Sequence, residues 1–149
     1  MKKPKEPPIS FGLHSFKVTS FKLDDKAKID DESNMGYKLQ FREEVNKEEE
    51  TVSIFLKIWA QEGEGAQDAI ANIETRTTFR VSDIAKMIKK EEIRLPLNLG
   101  TTLLSIALST TRGALAVKTE GHFLENQPLA VINPQFMYER FLGVKNEAD

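Results

Sequence analysis

The residues able to do chemistry are few, and their spacing assembles none of the familiar reactive sets. Four acidic groups recur along the chain: Asp24-Asp25, Asp30-Asp31-Glu32, Glu43-Glu44 and Glu48-Glu49-Glu50. Paired carboxylates can exchange protons with a substrate or hold a hard cation. This spacing is not that of a calcium-binding loop, and no histidine sits among them. They read as solvated turns, whose charge also keeps neighbouring strands from adhering to other chains. His14 and His122 stand apart from any serine motif or ligand spacing. The absence of cysteine excludes a thiolate nucleophile, a disulfide and a cysteine-ligated zinc. No G-x-S-x-G occurs, and Gly63-Glu64-Gly65-Ala66 lacks the G-K-[ST] ending of a phosphate loop. No catalytic residue, metal site or cofactor is expected, and the reading is of a non-enzymatic protein.

The chain has 149 residues, which suits one domain with one core. Its formal charge is -2, from 21 basic and 23 acidic residues. That balance offers no electrostatic reason to expect nucleic acid as a partner. No apolar run approaches the roughly 20 residues needed to span a bilayer, so membrane insertion is not expected. The start, Met1-Lys2-Lys3-Pro4-Lys5-Glu6-Pro7-Pro8, is basic but is followed by no apolar leader core. Residues 1–8 are read as a mobile tail, 9–142 as a single domain and 143–149 as a polar tail. With no cysteine, a cytoplasmic location is expected.

The first half alternates as strands do. Ile9, Phe11 and Leu13, then Phe16 and Val18, then Phe21 and Leu23 each keep period two, but the parity shifts twice. A phase change of this kind predicts two β-bulges. Met35, Tyr37, Leu39 and Phe41 form a second run. Val52, Ile54, Leu56, Ile58 and Ala60 form a third, with Phe55 and Trp59 on its other face. Ile73, Thr75, Thr77, Phe79 and Val81 form a fourth. Short spacings predict a four-stranded antiparallel meander. Ser82-Asp83 can cap a short helix carrying Ile84, Met87 and Ile88. Pro96 precedes a longer helix with Leu99, Leu103, Ile106 and Thr110 on one stripe and Leu104 and Leu108 beside it. Gly113 can end this helix or lie within it to Gly121; continuation is favoured, since a lone glycine costs only about 1 kcal/mol and permits close packing. Asn133-Pro134 is a helix start, with asparagine as cap and proline at the first helical position. The fold class is therefore α+β, with one long helix and a short C-terminal helix packed on one face of the sheet.

That order, and three local wordings, resemble the SecB family of preprotein-export chaperones from about Phe11 to Leu142. Thr78-Phe79-Arg80-Val81-Ser82-Asp83-Ile84 is similar to the family's fourth strand entering a turn. Ser109-Thr110-Thr111-Arg112-Gly113 is similar to its long helix, and Leu129-Ala130-Val131-Ile132-Asn133-Pro134 to the approach to its last helix. The resemblance implies homodimers or homotetramers that hold unfolded or extended polypeptide in apolar grooves without nucleotide. The clients implied are exported preproteins or an antitoxin. Departures speak against docking to the export motor. The acidic outward positions of the first strand correspond to Val18 and Lys22, and that of the fourth strand to Asn72. The end, Gly143 to Asp149, carries neither the cysteine and histidine nor the basic cluster used for docking.

Phe16, Phe21, Tyr37, Phe41 and Trp59 are the candidates for client binding. Met35, Met87 and Met137 are candidates for adaptable lining. Phe55, Trp59 and Arg112 are candidates for an oligomer interface. For Phe55 and Trp59 that reading stands ahead of core and of client groove. The competing function is an interaction subunit with one dedicated partner. An enzyme or small-ligand carrier comes last, because no reactive groups converge.

Overall fold

The computed structural model describes residues 10–24, 35–62, 69–88, 95–127, 129 and 132–147. The expected mobile tail at 1–8 lies outside them. Four strands form one antiparallel sheet: β1 (Phe11–Leu23), β2 (Met35–Asn46), β3 (Thr51–Glu62) and β4 (Ala71–Val81). Their order is β1-β4-β3-β2. The α+β class stands as expected, but the simple meander does not. Strands β2, β3 and β4 follow one another through hairpins, whereas β1 pairs with β4. β1 and β2, consecutive in the chain, therefore stand at opposite edges of the sheet. Period-two patterning assigns each strand a face but does not choose its neighbour, which explains the difference.

Both expected bulges are present. The register of β1 on β4 shifts between Leu13 and Ser15 and again between Val18 and Ser20. Each extra residue restores the apolar set to one face. Phe11, Leu13, Phe16, Val18, Phe21 and Leu23 lie opposite Val81, Phe79, Thr77, Thr75, Ile73 and Ala71. Val18 thus faces the helical side, and the outward position read for it is corrected by the first bulge. Lys22 does face outward, opposite Asn72.

The even positions of β3 from Val52 to Ala60 are buried, as are the odd positions of β4. Over them lies α2 (Leu97–Lys118), a single helix that runs through Gly113. Its buried stripe is Leu99, Leu103, Leu104, Ala107, Leu108, Thr111 and Leu115. Ile106 and Thr110 are only half-buried, so the stripe sits about one residue from the expected line. The hydroxyls of Thr75 and Thr111 share a buried hydrogen bond of 2.8 Å between sheet and helix. The glycine in close contact is Gly100 and not Gly113. A Cβ on Gly113 would meet nothing within 4 Å, whereas one on Gly100 would overlap the ring of Tyr138.

The corner after β4 is short. In α1 (Ile84–Met87) the Asp83 side chain makes no capping bond, contrary to expectation. Asp83 is left-handed, with φ 58°, and its own N–H donates to Glu50 Oε2 at 2.9 Å. The C-terminal helix α3 (Pro134–Glu147) does start as expected, with Asn133 Oδ1 accepting the Phe136 N–H at 3.2 Å. The polar tail expected from Gly143 is instead helical to Glu147, because nothing after that glycine breaks a helix.

Candidate functional site

Two surfaces could bind something, and they lie on opposite faces of the sheet. The first is the helical side of edge strand β1. Its apolar residues continue the core pattern, but α2 lies over β3 and β4. The N-terminal half of β1 is left open, with Leu13 57% exposed and Phe11 38% exposed. Phe16, Val18 and Phe21 are half-buried further along. Val117 of α2 is 65% exposed. Phe21 is partly roofed by α2, whose Lys118 ammonium stands 5.2 Å from its ring centroid. As β1 is an edge of the sheet, its outer row of backbone donors and acceptors has no partner strand among the described residues.

The five residues expected to bind clients do not form one surface. Phe16 and Phe21 share the β1 strip. Tyr37 lies on β2, where its hydroxyl donates to the Gln127 carbonyl and ties the sheet to the connection after α2. Burial pushes that hydroxyl above its ordinary value of 10.0. Phe41 packs at the far edge, 4.5 Å from the Phe141 ring and 6.2 Å from that of Tyr138. Trp59 lies on the outer face with Phe55. Arg112 on α2 is half-buried and lines a cavity of about 40 Å³ with Tyr37, Leu115 and Leu129. Met87 and Met137 pack against the main core, and Met35 against a smaller cluster beside Leu124.

Two residues hold the fold around these surfaces in roles that sequence did not show: Tyr138 was not singled out, and His122 was weighed only as a reactive group. Tyr138 is fully buried in α3, with its hydroxyl donating to Glu43 Oε2 at 2.7 Å. Its position one turn from Phe141 was a helix-face signal, but its carboxylate partner lies 95 residues away. His122 caps the 3-10 turn Phe123–Asn126, with Nδ1 accepting the Leu124 N–H at 3.2 Å. In that tautomer Nε2 donates to the Asp24 carbonyl at 3.0 Å, latching the end of β1. Both ring nitrogens are thus engaged in structure. Among the described residues no group of three or more His, Asp or Glu could hold a metal.

The second surface is the outer face of the sheet, which no helix covers among the described residues. It carries the two expected interface aromatics. The Arg42 guanidinium lies 4.0 Å above the Phe55 centroid, and the Lys57 ammonium 5.8 Å from that of Trp59. Trp59 Nε1 donates to Gln61 Oε1 at 3.1 Å.

These features define an α+β protein with a half-covered sheet: one apolar strip at an edge strand and one open polar face. In comparison with known proteins, no family model matches the chain and no curated protein matches it. Among the described residues no helix is long and apolar enough to cross a membrane.

Proposed function

We propose that the protein is a SecB-like chaperone or peptide-binding module, which holds unfolded or extended polypeptide in the cytoplasm without nucleotide. The carrying observation is the open helical side of β1. It combines exposed apolar side chains with a strand edge that is unpaired among the described residues, the two features an extended segment needs. Main-chain hydrogen bonds supply affinity with little sequence demand, and alternate side chains enter the apolar strip. The working form is a homodimer or homotetramer, since an exposed strip of this kind is also what a second copy would cover. Leu13, Phe16 and Phe21 carry the binding in this reading. Tyr37 and Phe41 support it from within the fold.

The test is the mass of the purified protein by light scattering, alone and with a reduced, unfolded model polypeptide. A dimer or tetramer that takes up the unfolded chain and ignores its folded form is expected. A species that ignores both overturns the chaperone reading. One stoichiometric partner captured from the native host, with no spread of non-native chains, would assign the same strip to a dedicated partner.

A further inference from the structure

The charge of the whole chain does not describe its outer sheet face. Three adjacent rungs of the ladder show the difference. The first runs Lys17, Arg76, Phe55, Arg42 across β1, β4, β3 and β2. The second runs Ser20, Glu74, Lys57, Gln40, and the third Lys22, Asn72, Trp59, Lys38. These rungs hold six cations and one carboxylate, in a chain with more acidic than basic residues. The next rung adds Glu44, which pairs with Arg42 at 2.5 Å. Lys17, Lys22, Lys57 and Arg76 make no ion pair among the described residues. The Nε of Arg76 is buried with no hydrogen-bond partner among them.

The two aromatics sit in the middle of this field, on the same face of β3 and two rungs apart, about 13 Å along the strand. Beside Phe55 is a shallow depression of about 330 Å³, lined by Gln40, Arg42, Lys57 and Glu74 among others. Cations alone would suit any polyanion. Aromatic faces set between cations suit one whose repeating unit has a flat ring, because bases stack on them while phosphates meet the lysines and arginines. An acidic polypeptide would use the charges but would bring no flat repeating unit to stack on Trp59 or on the Arg42–Phe55 pair.

We propose that the outer face of the sheet binds single-stranded nucleic acid, with Trp59 and the Arg42 guanidinium plane stacked on Phe55 as stacking platforms, and Lys17, Lys22, Lys57 and Arg76 as phosphate contacts. This departs from the expectation drawn from net charge. It concerns the face opposite the polypeptide strip and does not depend on that function.

Trp59 is the sole tryptophan and therefore a direct reporter. The experiment titrates the full chain with an oligothymidylate of about 15 nucleotides, within the usual range of site sizes. Trp59 fluorescence and the anisotropy of a labelled oligonucleotide are followed together, and poly-glutamate is titrated in parallel. Saturable quenching is expected, with log affinity falling against log salt at a slope of about -3, the value for four phosphate contacts on a single strand. Lys57→Glu and Lys22→Glu, both at exposed positions, should abolish binding while leaving the thermal transition in place. By anisotropy, Trp59→Ala should weaken binding about 5- to 150-fold and Trp59→Phe much less. No binding of the oligonucleotide overturns the proposal. So does oligonucleotide binding without a change in Trp59 fluorescence. Binding of poly-glutamate alone overturns it in favour of an acidic protein partner.

Discussion

At the scale of single residues, Tyr138 and Tyr37 do similar work at opposite ends of β2. Tyr138 fills the space between α3 and the sheet and donates to a carboxylate on Glu43. Tyr138→Phe keeps the ring but removes a donor from a charged acceptor. A loss of about 1.5–3 kcal/mol is expected in chemical denaturation, with little change in the slope of the transition. A loss below about 0.5 kcal/mol would mean that the bond contributes nothing net. For Tyr37 the expected effect depends on pH. Its raised pKa means that the folded state keeps the phenol proton to higher pH than the unfolded chain does. The stability tied to the neutral phenol is complete below about pH 10 and is lost as pH rises through the folded value. The stability difference between wild type and Tyr37→Phe should therefore be flat below about pH 10 and shrink above it. A difference that stays constant through the alkaline range would show that the hydroxyl is not desolvated.

At the scale of elements, α2 offers a paired test within one helix. Gly100 lies where the Tyr138 ring presses on the backbone, and Gly113 faces open space. Gly100→Ala should destabilise, because overpacking of about 1–3 kcal/mol outweighs the gain of about 1 kcal/mol in helix propensity. The Tyr138 ring cannot move aside easily, since it is held by Glu43 and lies beside Phe41 and Phe141. Gly113→Ala should stabilise by about 1 kcal/mol. Thermal denaturation reads both, and changes of the same sign would show that the α2–α3 contact is looser than it appears. The bulges of β1 are a further feature at this scale. Without them Val18 would point away from the helices, and the apolar strip would be split between the two faces of the sheet.

At the scale of the whole molecule, the asymmetry of the sheet matters most. Its helical side is a closed core over β3 and β4 and an open apolar strip along β1. Its other side is cationic and, among the described residues, uncovered. On the proposed chaperone function, Leu13→Lys should leave thermal stability within about 0.5 kcal/mol of wild type, because the side chain is mostly exposed. It should also reduce uptake of unfolded polypeptide or the assembled mass, by placing a charge in the strip. Unchanged uptake and unchanged mass would remove β1 from the binding surface. The same variant should leave oligonucleotide titrations unaltered, which separates the two faces experimentally.

Local rules were legible from the residues alone. Strand faces, both bulges and the Asn133 cap follow from short-range backbone and patterning effects, which depend on neighbours in the chain; for the helix at Gly113 those effects favoured continuation without excluding an end there. What depends on contacts across the chain was decided only by the tertiary structure. Period two could not say that β1 joins β4 and not β2. Helical spacing could not say that Gly100, and not Gly113, receives a ring from another helix. Composition averages acids in turns with bases on strands, so a charge of -2 concealed a face with six cations over three rungs. A side chain's charge is set by its type, but the field it contributes to depends on which other charges the fold brings beside it.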